Sequence, residues 1–246
     1  MTNMFSTAYT AGTKKGYDAG LRQYMLKVYN YMAVALALSG VFAYAFMTFY
    51  PLTSLIFSIT PGGAITGFTG LGYLVAFAPL GIAIYFFMGA GSMNVQTAQT
   101  LFWVYAALTG ISLSSLGFIY TGASIAKTFF LTASLFGAMS IYGYTTDRDL
   151  TSLGSFLIIG LIGIILATVV NLFMQSSAIQ FAVSILGILI FLGLTAYDTQ
   201  KLKQIYYRAG NSDIAQRMAV VGAFSLYLDF INLFLYLIRF AGVRKD

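Results

Sequence analysis

Two aspartates carry most of the chemistry this sequence has to offer. Asp229 stands at the midpoint of the apolar stretch Ala219 to Phe240, AVVGAFSLYLDFINLFLYLIRF, and such a stretch can cross a bilayer, since ~20 apolar residues at 1.5 Å rise span about 30 Å of hydrocarbon. A charge at the centre of such a helix costs on the order of 3 kcal/mol even on the lenient translocon scale, which marks it as functional by default. Steps of three and four from Asp229 reach Ser225, Asn232 and Tyr236, one polar stripe that should face protein or water rather than lipid. The second acid, Asp198, closes the apolar run FLGLTAYD ahead of TQKLK. Two carboxylates within hydrogen-bond distance cannot both ionise cheaply, so such a couple shares a proton and titrates as one unit. Once deprotonated, it repels itself or recruits a hard cation that prefers oxygen ligands.

The plainer account of Asp198 is a helix end at the interface, paired with Lys201 or Lys203. An Asp in a last turn opposes the helix dipole, which argues instead that the helix runs on to Gly210-Asn211, where Ser212 or Asp213 caps the next one. Asp198 then lies ~18 Å below the end of its helix and Asp229 ~24 Å above the start of the following one, at 1.5 Å per residue. These are similar depths on consecutive antiparallel helices, where the two acids can meet.

The elements that position them are membrane helices. The chain is 59% hydrophobic and 8% charged, against roughly 25% charge in soluble domains. Its mean hydropathy is +0.83. No Asp, Glu, Lys or Arg occurs from Val28 to Ala126 or from Leu150 to Tyr197. Glu, His and Cys are missing throughout, which excludes disulfides, thiol catalysis and the familiar Cys and His metal sites. The net charge of +6 sits at the ends of apolar stretches, as topology signals and phosphate-facing anchors rather than a nucleic-acid surface. Residues 1–27 read as a polar cytoplasmic tail and 28–246 as one transmembrane domain. Its apolar stretches run Val28 to Tyr50, Phe68 to Gly89, Ala98 to Tyr120, Ile125 to Tyr144, Leu153 to Phe173, Ile179 to Lys203 and Asp213 to Phe240. The connections are short, ITPGGAITG being the longest early one. Gly110, Gly160, Gly163 and Gly187 suit close helix packing, and the 18 Tyr and one Trp suit interfacial anchoring. The expected fold is an all-α polytopic bundle.

Nine basic residues fall on one side: Lys14, Lys15, Arg22, Lys27, Arg148, Lys201, Lys203, Arg208 and Arg217. Only Lys127 falls on the other side before the C-tail. The positive-inside rule therefore places the N-terminus in the cytoplasm. Arg239, Arg244 and Lys245 end up outside if the seventh stretch crosses, and the lack of Pro and Gly in LYLDFINLFLYLI argues that it crosses.

LTAYDTQKLK and SLYLDFINLFLYLIRF resemble the C-terminal signature of the Bax inhibitor 1 family, also called the transmembrane Bax inhibitor motif family. FGAMSIYGYTTDRDLTSLG, with ALTGISLSS before it and VVNLF after it, resembles the bacterial members. The resemblance implies seven transmembrane helices with the last one central, wrapped by the other six. It also implies a location in the bacterial inner membrane. The activity it implies is a pH-sensitive calcium leak in which Asp198 and Asp229 share a proton and gate the path. Some family members carry an Arg near the cytoplasmic end of the second helix that latches the acids; here that region reads IYFFMGAGSMNVQ, without a cation. If a latch exists, Lys201, Lys203 or Arg208 supplies it.

On the chemistry of the residues, calcium is a permeant ion rather than a cofactor. Asp198 and Asp229 with Ser225 and Asn232 do not complete a cage of six to eight oxygens, so coordination is transient. An aspartyl intramembrane protease also uses two acids sharing a proton, but the residues before Asp229 are Leu226, Tyr227 and Leu228 rather than the Gly-x-Gly that such an enzyme places there. A third class is an intramembrane interaction protein that restrains a membrane protease or a cell-death pathway. A secondary transporter would need repeated halves that the sequence does not show, and no nucleotide motif is present to drive a pump. The non-enzymatic, passive reading leads, with lipid, calcium and protons as its partners.

Overall fold

The computed structural model describes residues 18–62, 65–209 and 213–245. The Gly210-Asn211 stop, its Ser212 cap and the tail lysines Lys14 and Lys15 lie outside the described residues. The order of elements is α1 (Ala19–Thr48), α2 (Tyr50–Ile56), β1 (Phe57–Ile59), β2 (Ile65–Phe68), α3 (Gly70–Gly89), α4 (Val95–Leu113), α5 (Leu116–Ile119), α6 (Gly122–Thr145), α7 (Thr151–Met174), α8 (Ser177–Ala209) and α9 (Asp213–Ala241). Seven of these segments are long and apolar enough to cross a membrane, α4 counting together with α5. Short polar side chains start several of them. Asp18 accepts from the Leu21 amide at 2.9 Å, Thr69 from Gly72 at 3.0 Å and Asn94 from Thr97 at 2.7 Å, each satisfying a donor that the helix itself cannot. The Asp18 cap lets α1 begin at Ala19, nine residues ahead of its apolar stretch.

α9 is the axis. In its most apolar 18-residue window 72% of residues are buried, against 11% to 44% in the other six. α8, α1, α6 and α4 pack along it, while α3 and α7 lie outside on α4 and α8. α3 still reaches the axis through Phe86, whose ring lies 4.2 Å from that of Phe224. α7 does so through a cleft that Thr168 and Asn171 share with Tyr236. The wrapped-helix arrangement is therefore present, in two shells. The outer faces carry exposed Leu, Ile and Phe, such as Phe77, Leu80, Phe156 and Ile159, as lipid-facing surfaces must.

Two glycines set the closest helix crossings. A Cβ on Gly110 of α4 would strike the backbone of Ser39 in α1, and one on Gly143 of α6 would strike the carbonyl of Ala196 in α8. Neither backbone can yield, so these contacts require glycine, in the small-residue packing common in membranes.

The structure adds features that hydropathy does not show. The ITPGGAITG region is a short antiparallel hairpin, with Phe57 opposite Phe68 and an irregularity at Ser58/Ile59. Several Tyr are core residues rather than interfacial anchors, Tyr227 being fully buried. α9 is a single unbroken helix, long and apolar enough to cross a membrane, with no turn back among the described residues. Its exit is fixed by pairing of Tyr120 with Arg244 and by the Lys245 ammonium, which donates to the Gly117 carbonyl at 2.5 Å. The basic tail that strained the charge rule thus caps free carbonyls at that end.

Candidate functional site

Aromatic packing fixes the rotation of α9. Phe224 sits among the rings of Phe86, Phe102 and Tyr105, at 4.2, 5.5 and 4.8 Å. Phe230 meets Phe129 and Phe136 of α6 at 5.5 and 5.6 Å. Such pairs contribute about 0.5–1.5 kcal/mol each beyond burial. Tyr227 holds α9 to α1 through the Ser39 hydroxyl at 2.8 Å. With those faces committed to α3, α4, α6 and α1, Asp229 is left toward α8.

Asp229 is buried, at 5% exposure, and its Oδ2 has no hydrogen-bond partner among the described residues. The charge within electrostatic reach of it is Asp198. Asp198 is half-buried on α8, which continues eleven residues beyond it to Ala209, and Lys201 is the cation in its reach. The two acids therefore lie within electrostatic reach of one another, on α8 and α9, whose contact is the most extensive between helices of the described residues; no hydrogen bond joins them among the described residues. A buried carboxyl oxygen without a partner is costly, about 1–3 kcal/mol or more if charged, and calls for a specific reason.

The other candidates divide. Ser225 and Asn232 are half-buried on α9, and the Asn232 amide donates to its own helix at the Leu228 carbonyl, 2.8 Å away. Lys201 is exposed, its ammonium 5.8 Å from the Tyr197 ring centroid. Lys203 turns toward α6 and donates to the Tyr144 carbonyl at 2.9 Å. Arg208 is exposed near the end of α8, ten residues and so about 15 Å along the helix from Asp198. Among the described residues no cluster of three or more His, Cys, Asp or Glu forms a metal site.

A hydroxyl network escaped the sequence reading. Tyr29 of α1 bonds Ser140 of α6, and Ser140 lies 3.0 Å from the Thr199 hydroxyl beside Asp198 in the chain. Gln200, the next residue, accepts from the Leu150 amide at 2.8 Å and donates to the Arg148 carbonyl at 2.7 Å, tying the α6–α7 connection to the acid-bearing turn. The signal was faint: Thr199 and Gln200 follow Asp198 directly in AYDTQ, but hydroxyls and amides are common enough to carry no weight alone. A cleft between α1 and α6 has Tyr29 and Ser140 in its wall, with Met32 and Phe136. Another, at the opposite end, has Tyr236 and Arg239 in its wall. Neither is lined by the acids.

The sequence matches the family described as "Inhibitor of apoptosis-promoting Bax1" over residues 21–246. It is 57% identical over 246 residues to an uncharacterized protein of Rickettsia prowazekii, covering 100% of both chains. It is 43% identical over 232 residues to the inner membrane protein YbhL of Escherichia coli, covering 92% of this chain and 94% of the relative. An uncharacterized membrane protein of Streptococcus pyogenes is 35% identical over 229 residues, covering 93% and 96%. Seven apolar helices and relatives so named make this a multi-pass bacterial inner-membrane protein. With the match running over nearly its whole length, the chain belongs to the Bax inhibitor family, the one described as "Inhibitor of apoptosis-promoting Bax1".

Proposed function

We propose that this protein is a pH-sensitive calcium leak, gated by a proton that Asp198 and Asp229 share. The observation that carries the reading is the buried, unpartnered Oδ2 of Asp229 in the middle of the axial helix, with Asp198 as its electrostatic neighbour. On this reading one proton between them removes their mutual repulsion, and α8 and α9 stay packed. Loss of that proton leaves two anions that repel across the contact and draw in a hard cation. Two carboxylates, with Ser225 and Asn232 on the same stripe, offer fewer oxygens than a storage site needs, which suits passage rather than retention. The clefts from the two ends stop short of the acids, as a closed path would. The N-terminus and the Lys201 side face the cytoplasm on this reading. Calcium is the transported ion, and the protein acts passively, without catalysis.

The test is flux from calcium-loaded vesicles reconstituted with purified protein. The leak rises with pH, and Asp198→Asn or Asp229→Asn removes most of the pH dependence. Absence of flux, or Asn variants with the wild-type profile, overturns the reading. The family's description favours a second reading, an interaction protein that restrains a cell-death pathway; vesicles would then show no flux at any pH.

A further inference from the structure

The seam between α8 and α9 carries an aromatic pair one heptad from each acid. Phe191 precedes Asp198 by seven residues and Tyr236 follows Asp229 by seven. Each ring therefore lies about 10.5 Å from its acid, on the same helix face and toward the same end, because the helices run antiparallel. The two rings stack, with centroids 5.8 Å apart and planes 27° from parallel. Tyr236 lies so close to α8 that a Cβ on Gly187 would come within 2.6 Å of its ring. On the other side of the acids, Leu202 occupies the place that a Cβ on Gly222 would take. The seam is thus shut on both sides of the acid pair. We propose that Tyr236, stacked on Phe191, is the barrier that separates the acids from the far-side mouth of the ion path.

That mouth is the cleft of about 400 Å³ at the end away from Lys203, outside the cytoplasm on the charge rule. Asn171, Gln175, Gln180, Ser184 and Arg239 share its wall with Tyr236, and a polar wall of this kind at membrane depth admits water. Beyond Tyr236 the character changes: Phe191, Leu194 and Thr195 are all buried and lead to Asp198. The Arg239 guanidinium lies 5.9 Å from the Tyr236 ring centroid, within cation–π reach, so a ring and a positive charge bar the same place against a cation. The role rests on the calcium-leak reading, in which the acids sense the proton and the rings stop the ion. Repulsion between ionised acids parts α8 from α9, and the ring stack, on the same seam, parts with them.

The chain has no Cys, so one introduced thiol reports water access without any need for calcium flux. Thr195→Cys is nearly isosteric and places the thiol between the rings and Asp198. In right-side-out membrane vesicles, an impermeant quaternary-ammonium methanethiosulfonate modifies Thr195→Cys at least ~10-fold faster once Tyr236→Ala is added, since a thiol buried among apolar groups stays protonated and inert. Tyr236→Phe keeps the ring and leaves the thiol protected. Gln180→Cys, in the cleft wall, reacts alike in all three backgrounds. Phe191→Ala, which removes the other ring, decides the matter should Tyr236→Ala not fold. In calcium-loaded vesicles Tyr236→Ala raises the leak several-fold at every pH, with its midpoint unmoved because both acids remain. Equal labelling of Thr195→Cys with and without the ring overturns the barrier, and so does a measurable wild-type leak that Tyr236→Ala leaves unchanged. Ring-dependent labelling with no flux in any variant upholds the barrier and overturns the leak reading instead.

Discussion

The Tyr227 hydroxyl donates to the Ser39 hydroxyl at 2.8 Å. Ser39 has one proton and faces the Ala35 and Ala106 carbonyls at 3.0 and 2.7 Å, so it donates to a carbonyl and accepts from Tyr227. This bond joins α9 to α1 two residues before Asp229. Tyr227→Phe removes one buried bond and costs about 0.5–1.5 kcal/mol. Tyr227→Ala opens a cavity as well and costs about 3–5 kcal/mol. Denaturation in detergent measures both, and equal effects would show that the hydroxyl and not the ring anchors the axis.

Gln200 ties α8 to both ends of the Arg148–Leu150 connection, and it is buried. Gln200→Ala strands the Leu150 amide, for an expected loss of about 1–3 kcal/mol. Gln200→Glu keeps the acceptor for that amide and loses the donor to Arg148, so it should fall between wild type and Ala. Faster amide exchange at Leu150 in the Ala variant checks that the loss is local.

Asp149, in the same connection, accepts from the Thr151 hydroxyl at 2.6 Å and the Thr151 amide at 2.9 Å. The hydroxyl first, then the amide, holds its carboxyl below its usual range. A depressed native value means that this contribution to stability is complete above the ordinary Asp value of ~3.9 and fades as pH falls through the lower native one. Carbon-13 titration of the Asp149 carboxyl should show a midpoint below ~3.9, and Thr151→Val should raise it toward that value. A wild-type midpoint at the ordinary value would mean that the turn does not form in the membrane protein.

What the sequence revealed depended on scale. The cost of charge in hydrocarbon is large, so the absence of charge from Val28 to Ala126 outlined the helices, and the exception at Asp229 picked out the axis. The dipole argument at Asp198 predicted the continuation of α8, because an acid in a last turn is a local conflict. Weaker effects left no such mark. The start of α1 rests on the Asp18 cap, the hairpin on a three-residue pairing, and the Ser140–Thr199 contact on two helices crossing at Gly143. Nothing in the spacing of Tyr distinguished buried Tyr227 from an interfacial one; its place follows from three-dimensional packing against Phe102 and Ser39.

The sequence left the latch open among Lys201, Lys203 and Arg208, and the geometry separates them. Lys203 is committed to the Tyr144 carbonyl, and Arg208 lies about 15 Å along α8 from Asp198. Lys201 is the cation that acts on Asp198. Arg208→Gln should therefore leave the proposed calcium leak unchanged at every pH. Lys201→Gln can act in two ways of opposite sign. If Lys201 only favours the ionised acid, its loss makes deprotonation harder and moves the midpoint of the leak upward by roughly 0.5–1 pH unit, the scale of ~1 kcal/mol for an exposed charge. If it also latches the closed state, its loss raises the leak at low pH. Because Lys201 is exposed and lies over the Tyr197 ring rather than between the acids, the upward shift without added low-pH leak is the expected outcome. Flux recorded from pH 5 to 8 in the two variants distinguishes these cases, and a low-pH leak in Lys201→Gln would establish the latch instead.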